Sequence, residues 1–176
     1  MSSSSVPSFA ELLDGARHSA VHLEMRDAYG VTYEAEDFAR WQETGERDND
    51  RASAYWREWV DLVERAVARG VAVRRARIVS EPVTAYIRYE HAGTVVNLGA
   101  GEEVRWLPRR QASTIALPGN DFWLVDERIV RWNHFTGDGD SAPGEVTDDP
   151  AAARLCATAF EAVWARAVPH DEYKIG

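Results

Sequence analysis

Lysine is almost missing from this chain. Of its 20 basic residues only Lys174, in the C-terminal tail, is a lysine, and the other 19 are arginine. A phosphate-cradling lysine, a Schiff-base lysine or a catalytic lysine–histidine pair would have to use that one residue, which leaves those chemistries almost no room. Cysteine is as scarce: Cys156 stands alone, so neither an intramolecular disulfide nor a C-x-x-C metal or redox site can form. A basic excess is lacking as well. The net charge of −9 argues against a chain that wraps nucleic acid by neutralising phosphates. No apolar run approaches the roughly 20 residues of a membrane helix, and Met1–Val6 lacks both the basic and the apolar segment of a secretory signal. The expectation is a cytoplasmic protein with no membrane contact.

What is present fits one ordinary domain. A chain of 176 residues, 45% apolar and 28% charged, can bury a core without disulfide or metal staples. The expected layout is a disordered tail at 1–7, one domain over 8–170 and a C-terminal tail at 171–176. Ser8-Phe-Ala-Glu11 has capping-box spacing and opens a short helix. Val21, Leu23 and Met25 alternate with His22, Glu24 and Arg26, the pattern of a strand with one buried face. A helix is expected over Glu34–Thr44, and the charged stretch Gly45–Arg51 as an exposed loop. Trp56, Trp59, Val60, Val63 and Val67 make one apolar stripe of a helix that Ser53 can cap and Gly70 ends. Val71–Val79 reads as a buried strand, Ser80-Glu81-Pro82 as a helix start, and Val104–Leu107 as a short strand. Phe122–Val125 and Ile129–Trp132 form a hairpin, Glu145–Thr147 an edge strand, and Asp149-Pro150 starts a last helix. The fold class predicted is α/β, or α+β: a mixed sheet flanked by helices, with a hairpin near the C-terminal third and a long C-terminal helix.

No strong catalytic motif stands out. Asn97-Leu-Gly-Ala-Gly-Glu102 resembles half a dinucleotide fingerprint, but it leads into a strand, so no helix N-terminus receives a pyrophosphate and a plain turn is the better reading. Asp138-Gly-Asp140 has Pro143 where a calcium loop needs glycine, which favours a solvated acidic loop. Arginines 74, 75, 77, 105, 109 and 110 make a local basic patch, read either as an anion or RNA contact or as a surface of internal ion pairs. Histidines at strand ends are the acid–base candidates, and a cluster of His22, Glu24, Arg88, Glu90 and His134 is the one to look for.

Several blocks, among them Ala20–Asp27, Arg74–Pro82, Tyr86–Glu90, Leu117–Trp123 and Asn133–Asp138, together resemble an actinobacterial, streptomycete-type family of unknown function. That resemblance implies a regulatory setting, since many members lie beside genes for helix-turn-helix regulators. The second half distantly resembles half of a phospholipase D-like domain, a group that includes catalytically inactive effector modules. The active motif of that group is H-x-K-x(4)-D. With its aspartate on Asp126, Gly119 stands at the histidine position and Asp121 at the lysine position, so the resemblance implies a scaffold without the chemistry.

The sequence therefore predicts a non-enzymatic regulatory, adaptor or ligand-sensing protein. It would act through a protein partner such as a helix-turn-helix transcriptional regulator, without direct DNA binding, cofactor or metal. A homodimer stays open. For a small anionic ligand the candidate contacts are Arg26, Arg88, Glu90, His91, Asn133 and Asp138. The alternative is a small hydrolase or transferase using His22, Glu24 and His134 on an anionic substrate. An enzyme requires a pocket where the clustered candidates meet, whereas an adaptor requires an exposed apolar patch.

Overall fold

A computed structural model of the chain describes residues 6–30 and 32–176. Residues 1–5 of the expected N-terminal tail lie outside the described residues. In chain order the elements are α1 (Phe9–Gly15), β1 (Ser19–Glu24), α2 (Ala35–Thr44), α3 (Arg57–Ala68), β2 (Ala72–Val79) and α4 (Ala85–Gly99). There follow β3 (Glu103–Pro108), β4 (Asp121–Val125), β5 (Ile129–Asn133), β6 (Glu145–Thr147), α5 (Pro150–Arg166) and β7 (Val168–Pro169). They make one domain around a mixed seven-stranded sheet of order β6-β5-β4-β1-β2-β3-β7. The three central strands β1, β2 and β3 run parallel, and β4, β5, β6 and β7 add antiparallel pairs at the two edges. The α/β class and the mixed sheet predicted from the sequence are what the chain forms.

Helix ends follow local chemistry. Ser8 and Glu11 close the capping box reciprocally, the Glu11 N–H donating to Ser8 Oγ at 3.2 Å and the Ser8 N–H to Glu11 Oε2 at 2.7 Å. Gly70 takes φ +88° just past α3, a left-handed conformation that costs a side-chain-bearing residue free energy. Asp149 accepts from the Ala151 N–H at 3.0 Å, and Pro150 occupies the first helical position of α5.

Three expectations are corrected. The fourth helix does not start at Ser80: its N-cap is Thr84, whose side chain accepts from the Ile87 N–H at 3.1 Å. Ser80 is instead tied to Asp27, through backbone and hydroxyl, at 2.7 Å each. On α3 the stripe turns, so that Leu62, Val63 and Ala66 are buried and Val67 comes out to solvent. Residues 171–176 are not a free tail, because Tyr173 is buried and stacks on Trp106 with ring centroids 5.5 Å apart.

The sheet is covered on both faces. On one, α5 sets Cys156, Phe160, Val163 and Trp164 against Val21, Leu23, Ile78, Phe122 and Leu124. Each large apolar side chain buried this way contributes on the order of 2 kcal/mol. On the other face α1 and α3 pack over Ala20, Val73 and Val125, and α4 over Val79, Val104 and Trp106. The middle of that second face, between the two apolar clusters, is not filled by aliphatic side chains.

Candidate functional site

Strand parity puts a polar row in that gap. Val21 and Leu23 face α5, so His22 and Glu24 face the opposite layer. His22 is in register with Arg75 of β2 and Trp123 of β4, and Glu24 with Arg77. One strand further, Trp123 pairs with Arg131 and Asp121 with Asn133. These side chains share one face across four strands.

The centre of the row is a closed ion-pair network. Glu24 accepts from Arg75 Nη1 and, at 2.9 Å, from Arg77 Nε, and His22 Nε2 lies 3.1 Å from its Oε1. Arg75 Nε donates to Glu102 at 2.5 Å, and Asn97 donates to the other Glu102 oxygen at 2.7 Å. Arg77 completes its shell with Thr94 at 2.8 Å and Glu90 at 2.7 Å. Burial alone would raise the Glu24 carboxyl, but the Arg77 and Arg75 guanidiniums and His22 hold it well below the usual carboxylate range. His22 also stacks on Trp123, centroids 4.3 Å apart, and its Nδ1–H donates to the Phe122 carbonyl at 2.8 Å. A carbonyl can only accept, so a proton sits on Nδ1. Nε2 then faces the Glu24 carboxylate.

Around this network lies a cavity of about 400 Å³, within the roughly 300–1,000 Å³ of small-molecule sites. The α4 residues Tyr86 and Glu90 form part of its wall, the segment before α3 adds Arg47 and Tyr55, and the turn before α2 adds Tyr33 and Glu34. Glu34 accepts from Tyr86 at 2.6 Å and Tyr55 at 3.0 Å, yet burial, with Glu90 nearby, raises its carboxyl above the usual range. Burial raises Asp121 too, although Tyr29 O–H and, at 3.0 Å, the Met25 N–H donate to it. Among the described residues three buried side-chain polar atoms lack a hydrogen-bond partner: Arg47 Nε, Trp59 Nε1 and Arg131 Nε. All three are donors, and all three residues line this cavity.

The structure gathers part of the predicted set. His22, Glu24 and Glu90 meet through Arg77, and Asn133 and His134 line the same cavity. His134 is paired with Glu145 at 3.7 Å and makes no hydrogen bond to His22 or Glu24. Arg26 lies over the Phe135 ring at 5.0 Å, beside the cavity rather than among its lining residues. Three candidates are elsewhere. Arg88 is exposed on α4 and donates to the Gly176 carbonyl at 2.9 Å. His91 opens on a second recess with His170 and Tyr173, because the α4 helical turn points it away from Glu90. Asp138 is exposed in its loop. Among the described residues no three His, Cys, Asp or Glu side chains are grouped to hold a metal ion.

Arg47 and Arg131 were not among the predicted contacts, and Arg75 and Arg77 were named only as part of the basic patch. The arginine cluster is divided by parity: Arg75 and Arg77 enter the site, while Arg74 pairs with Glu161 at 2.7 Å and Arg105 lies over Trp164 on the α5 face. Their i, i+2 spacing in phase with Val73 and Val79 was the legible signal. Arg47 belongs to the stretch expected as an exposed loop, yet its side chain is only 2% exposed and lies 3.6 Å over the Tyr89 ring. Gly93 admits it, since a Cβ there would come within 2.3 Å of the guanidinium. Asp126, aligned above with a catalytic aspartate, accepts from the backbone N–H groups of Arg17, His18 and Ser19 and holds a hairpin turn at φ +51°.

Fold and site together define an α/β protein with a polar, aromatic-walled cavity on one face of a mixed sheet. The chain belongs to the family described as a domain of unknown function (DUF6879), which it matches over residues 7–175. No curated protein matches it. Among solved structures it is similar to TrmBL2, an archaeal chromatin protein, at 15% identity and a TM-score of 0.49, covering 90% of this chain and 47% of that one. It thus spans about half the length of the TrmBL2 chain. It is also similar to Nuc, a phospholipase D family member from Salmonella typhimurium, at 13% identity and a TM-score of 0.49, covering 91% and 86%. At this distance neither neighbour lends the chain an activity. No helix among the described residues is long and apolar enough to cross a membrane.

Proposed function

We propose that this protein is a non-enzymatic ligand-sensing module that binds a small anionic ligand in the cavity and passes the signal to a protein partner. The observation that carries this reading is that, among the described residues, the three buried polar atoms left without partners are all N–H donors and belong to residues that line one cavity. A buried unpaired donor costs about 1–3 kcal/mol, which an acceptor-bearing ligand recovers. A partner of the helix-turn-helix regulator class is supported by the resemblance of the sequence blocks to actinobacterial proteins encoded beside such regulators. An adaptor working through a broad apolar face has less support. The exposed large apolar side chains Val6, Tyr33, Val67, Val95 and Leu155 sit on separate segments, and no tryptophan is exposed.

The rival reading, a hydrolase or transferase using His22, Glu24 and His134, gains from the 3.1 Å contact of His22 with Glu24 inside a cavity. Against it, both His22 nitrogens are engaged, both Glu24 oxygens are held by arginines, and His134 faces Glu145. Neither His22 nor Glu24 is free to move a proton on a substrate, and His134, whose ring makes no hydrogen bond among the described residues, is linked to neither of them. The experiment is a thermal-shift titration with benzoate, inorganic phosphate and acetate, run beside turnover assays on p-nitrophenyl acetate and p-nitrophenyl phosphate. Ligand at 100 times its Kd stabilises by about 2.7 kcal/mol, a shift of several degrees. Stabilisation by an anion without turnover supports the proposal. Turnover that His22→Asn abolishes, or no shift with any anion, overturns it.

A further inference from the structure

The cavity wall has an unusual composition. Eight of its lining residues are aromatic, among them Tyr33, Trp59, Trp123 and Phe135, and not one is Leu, Ile, Val or Met. An apolar ligand of any shape is served by aliphatic walls, whereas a wall whose large apolar residues are all aromatic favours flat π-faces or cations. A cation would need free carboxylates, and these are engaged. Glu24 is held by Arg75 and Arg77, Glu90 by Arg77, Glu34 by two tyrosine hydroxyls, and Asp121 by Tyr29 and the Met25 N–H.

The unmatched groups are donors, and among the cavity's four arginines one differs from the rest. Arg75 and Arg77 are in the ion-pair network, and Arg47 has Asp37 and Glu90 within 4.0 Å. Arg131 has no carboxylate within 4.0 Å among the described residues. Its Nη1 donates to Asn133 Oδ1 at 2.8 Å, while its Nε is buried without a partner. That leaves the Nε/Nη2 edge, the side-on fork whose two parallel donors match the two oxygens of a carboxylate. Gly144 gives the guanidinium its place, since a Cβ there would lie 3.2 Å from Nη2 and 3.3 Å from Cζ. One unmatched cation, among carboxylates that repel additional negative charge, suits a monoanion better than a dianion such as a phosphate monoester.

Building on the proposed anion site, we infer that the cavity takes a planar aromatic carboxylate, with its ring against the aromatic wall and its carboxylate on the side-on edge of Arg131. The chemistry is recognition only, and no bond is made or broken.

The test is isothermal titration of the full chain with 2-naphthoate, with 2-naphthamide, cyclohexanecarboxylate, choline and inorganic phosphate as comparators. The expected Kd for 2-naphthoate is on the order of 10 µM. Removing the charge (2-naphthamide) or the aromatic ring (cyclohexanecarboxylate) weakens binding at least about 10-fold. Arg131→Gln weakens it by about 10- to 100-fold, and Arg131→Lys, which keeps the charge without the fork, falls between. Circular dichroism checks that both variants fold. Should either fail to, Asn133→Ala, which releases the Nη1 tether, is expected to weaken naphthoate binding about threefold. Phosphate binding without naphthoate binding overturns this inference and leaves the anion site standing. Binding of choline, or of the amide as tightly as the acid, overturns the inference. Binding of nothing overturns both.

Discussion

His170 sits where protonation breaks contacts instead of making them. The Trp106 indole N–H donates to its Nδ1 at 3.1 Å, so that nitrogen must keep its lone pair, and the ring is neutral. A proton there would remove the bond and place a charge beside His91, whose ring centroid is 4.4 Å away, with Arg77 and Lys174 adding repulsion and Asp171 alone opposing it. Burial first, then His91 and Arg77, push His170 down from 6.5 to about 4. Between those values the unfolded chain binds a proton that the folded chain does not, so stability falls as pH drops through 6.5 and levels off near 4. At about 1.4 kcal/mol per pKa unit the full loss is about 3 kcal/mol, and about 2 kcal/mol is already lost at pH 5. The ring also borders the second recess, where solvent screens part of this, so roughly 1–2 kcal/mol at pH 5 is the expected figure. Urea unfolding at pH 7.5 and pH 5 measures it in the native chain and in His170→Asn, whose amide oxygen can still accept from Trp106. The variant should lose about 1–2 kcal/mol less between the two pH values. Burial also lowers His91, which acts in the same direction and remains in both proteins. Glu34 and Asp121, raised by burial, act in the opposite direction in both and cancel in the difference. Parallel pH dependences for the two proteins would refute the reasoning.

Three further outcomes follow from the core. Glu24→Gln removes the one anion shared by Arg75, Arg77 and His22, and breaking such a buried cluster should cost about 3–5 kcal/mol. In scanning calorimetry that is a Tm drop on the order of 10 °C, and a drop under about 2 °C would contradict the network. Gly93→Ala drives a Cβ against the pinned Arg47 guanidinium and should destabilise by about 1–3 kcal/mol. Gly137→Ala, with nothing within 4 Å, is the neutral control in the same denaturant assay. Cys156 is fully buried, and burial pushes its thiol up to about 12. It should therefore be inert to a disulfide reagent at pH 8 in the native protein and react promptly in denaturant, and fast native labelling would place it at an open surface.

The elements were readable because their signals are local. The capping box at Ser8, the strand alternation from Val21 to Met25 and the Asp149-Pro150 start each depend on residues within one turn or one pleat. The Ser80 start failed for a long-range reason: Asp27, far away in sequence, holds the Ser80 N–H and hydroxyl that a helix cap would use. The candidate site was half legible. His22, Glu24 and Glu90 were named as a cluster, but nothing in the spacing says that α4 lies over β1, or that the chain between α2 and α3 folds back to insert Arg47.

By itself, the sequence determined the class, the order of the elements and the exclusions that follow from a single lysine and a single cysteine. It also determined which residues alternate on each strand, because side-chain direction has a fixed period of two. Only the tertiary structure decided which faces meet. Strand register set His22 beside Arg75 and Trp123, and helix packing closed an aromatic wall around them. The arginines illustrate the division. All 19 are equal in a composition, but the sheet sends Arg75 and Arg77 into an ion-pair network and Arg74 and Arg105 to the opposite face, and leaves Arg131 in the cavity wall with no carboxylate within 4.0 Å among the described residues. The free energy of a buried charge depends on partners brought by distant strands, and no local pattern encodes them.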